Sequence, residues 1–304
     1  MISPFVNNET GKLKLVLVGI ADDFGGTPKL EECYDPKSRE NVVLKKFPIE
    51  KELIKEVESF ITVLKKHNIE VLRPLNIAGV NQIFSRDIVF VIHDTMIIPN
   101  IIKNRINEID GISHITSNIC AKHILKMPTN CYIEGGDVIL YDKYIFVGYS
   151  KEEDFNKYIV SRTNELALNF ISTEFPQYHI KGFELNKSDI DPMENALHLD
   201  CCFQPIGNNM AILYKAGFKY QEDIDFIIDL FGCDNIIEIN TLEMYNMCAN
   251  VFSISEDVIV SNQDFVRLNG VLRSKGFIVE EVAYSEVAKM EGLLRCSTMP
   301  LIRE

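Results

Sequence analysis

The chain has 304 residues, 46% hydrophobic and 25% charged, an ordinary composition for a soluble globular protein of one or two domains. Its 31 Lys+Arg against 44 Asp+Glu give a net charge of -13, which argues against nucleic-acid and anionic-membrane partners. Eight cysteines without a CxxC pair, no bilayer-length apolar run and no signal-peptide-like start point to a cytoplasmic protein with free thiols and no zinc site.

In chain order, residues 13–18 are an apolar run that reads as a buried strand. A glycine-containing loop, residues 22–28, follows and is placed to act as a lid. Across residues 52–66, Leu53, Val57, Phe60, Ile61 and Leu64 share one helical face, and residues 69–72 follow as a strand. A unit then recurs: two apolar strands around a short polar turn, a helical stretch, and a further strand. Residues 88–92 turn at His93-Asp94 into 96–98, and residues 138–141 turn at Asp142-Lys143 into 144–147. Residues 201–206 turn at Gly207-Asn208-Asn209 into 210–214, and residues 251–254 turn at Ser255-Glu256-Asp257 into 258–260. Phe265, Leu268, Val271 and Leu272 form a second helical face, followed by a strand at 277–279.

The spacing of about fifty residues predicts a radial repeat. Four units are plain, and a fifth is made by the two chain ends, residues 13–18 and the segment around Cys296. The fold expected is α/β, a five-bladed pseudo-symmetric propeller of hairpin–helix–strand repeats, with residues 1–304 as a single domain. Ser85-Arg86-Asp87, Glu134-Gly135-Gly136-Asp137, His198-Leu199-Asp200 and Asn250 each stand at or just before the first strand of a hairpin. In a radial repeat these positions converge on one axis.

Together with Cys296, these motifs supply the parts needed to attack a guanidinium group. That group is flat, resonance-stabilised and permanently charged. Asp87 and Asp200 are suited to grip its N–H fork. Cys296 is a nucleophile once ionised, and a bound cation nearby favours the thiolate. His198 can protonate the leaving nitrogen and then activate water, with Glu134 orienting the imidazole. Histidines 67, 93, 114, 123 and 179 read as structural. Lys103 or Arg105 is placed to meet a substrate carboxylate.

Arg86-Asp87, Glu134-Gly-Gly-Asp137-Val138, His198-Leu-Asp200 and Cys296-Ser-Thr-Met-Pro300 resemble, in type and order, the motifs of the amidinotransferase/arginine deiminase superfamily of guanidine-modifying enzymes. The resemblance runs from Lys12 to the C-terminus. It implies a five-bladed α/β propeller and a covalent thiouronium intermediate on Cys296. It makes His198 the general acid/base, Glu134 its partner, and Asp87 and Asp200 the guanidinium clamp, with no metal or organic cofactor. The Glu-Gly-Gly-Asp form is that of the hydrolases. Glycine amidinotransferases instead carry an Asp-Ala-Ala-Asp type sequence there. The expectation is a hydrolase of arginine, a methylated arginine or a related small guanidino compound, releasing ammonia or an alkylamine. An amidinotransferase, and a non-catalytic protein that binds arginine-like ligands, are the alternatives. One departure stands out: where arginine deiminases have an arginine five residues before the nucleophile, this chain has Glu291. Substrate tail and self-association are left open at this stage.

Overall fold

The structure, a computed structural model, describes residues 1–304. It contains fifteen strands in five three-stranded sheets. In chain order they begin with β1 (Leu13–Val18), β2 (Glu70–Leu72), β3 (Phe90–Ile92), β4 (Thr95–Ile98) and β5 (Ile124–Lys126). They continue with β6 (Val138–Tyr141), β7 (Tyr144–Tyr149), β8 (His179–Glu184), β9 (Phe203–Ile206) and β10 (Met210–Leu213). The last are β11 (Ile236–Glu238), β12 (Phe252–Ser253), β13 (Val258–Asn262), β14 (Ile278–Val282) and β15 (Thr298–Arg303).

All five sheets share one topology. A first strand pairs antiparallel with a central strand, and the central strand pairs parallel with a third. The parallel pairing requires a crossover, and helical segments occupy each one. The fifth sheet has the order β15-β1-β2, with β15 antiparallel to β1 and β1 parallel to β2. The C-terminal segment therefore supplies the first strand of the unit whose other two strands lie near the N-terminus, as the sequence pattern predicts.

Central strands read as nearly unbroken apolar runs because both of their faces are covered. In β1, Leu13, Val16 and Val18 join one buried cluster, while Leu15 and Leu17 join a second. In β7, Phe146 goes to the first cluster, and Ile145 and Val147 go to the second. The helix Glu50–Lys66 buries Leu53, Val57, Phe60, Ile61 and Leu64 against the first, on the face its period predicts. Ile88 differs from expectation: it closes a helical turn, Ser85–Ile88, and the strand begins only at Phe90. Apolarity alone cannot distinguish a buried turn from a buried strand. All eight cysteines are free thiols. No helix is long and apolar enough to cross a membrane.

Candidate active site

Each of the five sheets has its site segment immediately ahead of its first strand. The turn Ser85–Ile88 precedes β3, Gly135–Asp137 precedes β6 and Leu199–Cys201 precedes β9. Asn250 precedes β12 and Cys296 precedes β15 by two residues each. Backbone hydrogen bonds cross between these segments: Arg86 N–H donates to Cys296 C=O at 3.0 Å, and Arg295 N–H donates to Asn250 C=O at 3.3 Å. Asp137 ties two turns together. Its Oδ1 accepts from Leu199 N–H at 2.9 Å and its Oδ2 from the Thr163 hydroxyl at 2.6 Å.

All five residues singled out from the sequence are buried; Asp87 and Cys296 line one cavity, and behind them His198 and Glu134 adjoin Asp87 while Asp200 adjoins Cys296. His198 Nε2 lies 2.9 Å from Glu134 Oε2, and His198 Nδ1 lies 3.6 Å from Asp87 Oδ1 without a hydrogen-bond partner. Cys296 Sγ sits 3.6 Å from Asp200 Oδ2 and accepts a hydrogen bond from Asn250 Nδ2 at 3.2 Å. Asn250 Oδ1 in turn accepts from Cys296 N–H at 3.0 Å, so one amide fixes both ends of the cysteine. Asp87 and Cys296 both line the cavity, whose volume is about 340 Å³.

Buried arginines hold the carboxylates. Arg105 donates to Asp87 Oδ2 at 2.6 Å and forks onto Glu108 with two 2.8 Å contacts. Arg162 donates to Glu134 Oε2 at 3.1 Å. Arg295 donates to Asp200 Oδ2 at 2.8 Å and forks onto Glu9 at 3.0 and 3.2 Å. Of the two cations suggested for a substrate carboxylate, Arg105 lines the cavity, whereas Lys103 is exposed. Phe24, Gly25 and Gly26 of the suggested lid also line it.

The charges follow from these contacts. Burial works against the Glu134 carboxylate, but Arg162, His198 and Arg105 outweigh it and hold its pKa well below the usual range. Burial disfavours the His198 imidazolium, yet Asp87, Asp137 and Glu134 raise its pKa above the ordinary value. Burial, then Asp200 and Asp87, push the Cys296 thiol well above its ordinary value. The unliganded site thus holds a neutral thiol beside carboxylates that favour a cation.

Asp87, Glu134 and His198 could also offer a metal three donor atoms within 4.8 Å of one another. The Arg105 and Arg162 guanidiniums already face two of these groups and provide the positive charge that a metal ion would bring. Glu9, Arg162 and Arg295 are buried charged neighbours of these residues that sequence reasoning did not identify. Arg295 adjoins Cys296 and so carried a signal. Glu9 lies 286 positions from its partner and carried none.

A profile of the family "N,N dimethylarginine dimethylhydrolase, eukaryotic" matches residues 34–303. The uncharacterized protein YkgA of Bacillus subtilis (strain 168) is 29% identical over 245 residues, 80% of this chain and 78% of that protein. An arginine deiminase of Listeria monocytogenes serovar 1/2a is 36% identical over 204 residues, 57% of this chain and 47% of that protein. The chain therefore spans about half the length of this deiminase. Among solved structures, the product-bound N-terminal domain of ArgZ, a cyanobacterial arginine dihydrolase, superposes with a TM-score of 0.78 at 17% identity, covering 96% of this chain and 98% of that one. SxtG, an amidinotransferase from Microseira wollei, gives 0.77 at 17% identity, covering 99% and 98%. These two structures share the fold. With the family profile spanning nearly its whole length, the chain belongs to the N,N dimethylarginine dimethylhydrolase family, within the amidinotransferase/arginine deiminase superfamily of guanidine-modifying enzymes.

Proposed function

We propose that the protein is a cysteine-dependent hydrolase of a guanidino compound, acting through a thiouronium intermediate on Cys296. The observation that carries this reading is that Cys296 and Asp87 line one cavity, with Asp200 against the Cys296 sulfur and the His198–Glu134 pair against Asp87. The common topology of the five sheets, each with its site segment ahead of the first strand, supports a five-bladed radial arrangement of one domain with the site on its axis.

In this reading a guanidinium enters between Asp87 and Asp200, and its charge favours the Cys296 thiolate, whose proton leaves to solvent. The sulfur bonds to the central carbon. The C–N bond then breaks as His198 gives its proton to the departing ammonia or alkylamine. A water molecule next attacks the carbon, with His198 taking its proton. The C–S bond breaks, returning the thiolate and leaving a ureido product. Glu134 stabilises the imidazolium in both steps. An amine in place of water would make the reaction an amidino transfer.

The test is product mass spectrometry with arginine, methylarginines, agmatine and guanidino acids, each with and without glycine. Conversion to a ureido product that Cys296→Ser abolishes supports the hydrolase. Amidino transfer to glycine replaces it with the transferase, and undiminished turnover by Cys296→Ser removes Cys296 as nucleophile.

A further inference from the structure

The Cys296 sulfur has unusual neighbours for a nucleophile. A thiolate is ordinarily favoured by a cation beside it. Here the cations are engaged elsewhere. His198 hydrogen-bonds to Glu134 and lies 3.6 Å from Asp87 Oδ1. The Arg295 guanidinium is directed onto Glu9, Asp200 and the Val138 carbonyl. The charged and titratable groups around the sulfur are Asp200, Asp87, Arg295, Cys201 and Tyr284. Burial, Asp200 and Asp87 disfavour the thiolate, and the Leu293 backbone and Arg295 only partly oppose them. A cation placed against the sulfur would compete with a guanidinium for Asp87 and Asp200. A neutral donor would not.

Asn250 supplies that neutral donor. It is fully buried and stands just ahead of β12, the place in its unit that Asp87, Glu134 and His198 hold in theirs. Its orientation follows from its partners. Cys296 N–H needs an acceptor, and Asn250 Oδ1 meets it at 3.0 Å, so Nδ2 must point the other way. There Nδ2 lies 3.2 Å from Cys296 Sγ and 3.4 Å from the Asp200 carbonyl. The Asn250 backbone is held as well: its N–H donates to Met247 C=O at 2.9 Å, and its C=O accepts from Arg295 N–H at 3.3 Å. Met247 sits at φ 67, a left-handed conformation uncommon for a residue with a Cβ. The amide cannot leave the sulfur without breaking these bonds, so the donor is in place before any substrate arrives.

We infer that Asn250 is a catalytic residue whose Nδ2–H stabilises the Cys296 thiolate, both as it forms for attack and as it leaves carbon. This rests on the cysteine-hydrolase reading above. In the resting site the sulfur is a neutral thiol 3.6 Å from Asp200 Oδ2, and a thiol is a weak acceptor for the amide. Once the proton has gone to solvent, the same N–H meets a full negative charge and the bond strengthens. Because it grows with charge on sulfur, it lowers the barrier to attack from the resting thiol. The bond weakens while sulfur shares its electron pair with the guanidinium carbon. It returns as the C–S bond breaks and the pair goes back to sulfur. The amide itself gains and loses no proton.

The experiment uses the full-length protein with Asn250→Ala and Asn250→Asp. Alkylation by iodoacetamide is followed against pH, with the Cys296 peptide resolved from those of the other seven cysteines by mass spectrometry. A hydrogen bond to a charged group gives about a tenfold to hundredfold effect, so Asn250→Ala moves the alkylation midpoint up by about one to two pH units. Its kcat for the guanidino substrate falls by about the same factor, with little change in KM. Asn250→Asp keeps an oxygen for Cys296 N–H but has no N–H for the sulfur, so it does not restore either value. An unmoved midpoint in Asn250→Ala, or wild-type kcat in Asn250→Asp, reduces Asn250 to a structural tie; either overturns the inference and leaves the hydrolase standing. A shifted midpoint in a protein that turns over no guanidino compound removes the hydrolase and keeps the thiolate contact. Should Asn250→Ala fail to fold, Asn250→Ser, whose shorter side chain does not reach the sulfur, carries the same comparison.

Discussion

Replacing Glu9 by Gln tests whether the ion pair that Arg295 makes beside Cys296 holds the site together. Three buried guanidiniums, on Arg86, Arg295 and Arg303, share two carboxylates, Glu9 and Asp200. Burial alone would raise the Glu9 pKa, but Arg295, Arg86 and Arg303 reverse this and pull it from 4.5 down to about 2. At about 1.4 kcal/mol per pKa unit, that shift corresponds to about 3 kcal/mol of stability carried by the ionised carboxylate. Breaking a buried ion pair from one side costs about 3–5 kcal/mol by a separate route, and the two figures agree. Glu9→Gln is therefore expected to destabilise the fold by about 3 kcal/mol or more at pH 7. Because the folded-state pKa is depressed, this stability is present above the unfolded value of 4.5 and lost as pH falls toward about 2. The gap between wild type and variant should narrow over that window. Urea unfolding of both proteins at pH 7, 5 and 3.5 measures it. A gap under about 1 kcal/mol at pH 7, the size expected of an exposed pair, would refute the reasoning, as would a gap that does not change with pH.

Two other changes probe the site directly. Gly136→Ala places a Cβ 2.7 Å from His198 Nδ1 and 2.9 Å from Asp87 Oδ1. Misplacement of this kind costs about a hundredfold in kcat/KM, while the overpacking costs only about 1–3 kcal/mol of stability. An active Gly136→Ala would mean that His198 and Asp87 do not act from these positions. Glu134→Gln removes an anion that favours the His198 imidazolium, so the imidazole pKa should fall. NMR titration of labelled histidine, with Cys296→Ser as the background, reads this shift. An unchanged value would separate Glu134 from the imidazole.

The positions of the candidate site residues were legible because each sits at the same place in a repeated unit. Asp87, Glu134, His198 and Asn250 stand where a polar segment gives way to an apolar strand, and that boundary shows in sequence. Residues 13–18 were legible as a strand for the related reason that an unbroken apolar run has both faces covered. Ile88 was not, since burial draws apolar residues into turns as readily as into strands. The charges around the site were the least legible. Arg162 meets Glu134 from 28 residues away, and Glu9 meets Arg295 from the other end of the chain. Only the assembled fold decides which charges pair.

The β15-β1 pairing has a consequence for local stability. Cys296 lies two residues before β15, and β15 is held to β1 by an antiparallel ladder with register shifts between Leu13 and Val16. Local opening that peels residues 298–303 from β1 would carry the sulfur away from Asp200 and Asn250 while the other four sheets stay paired.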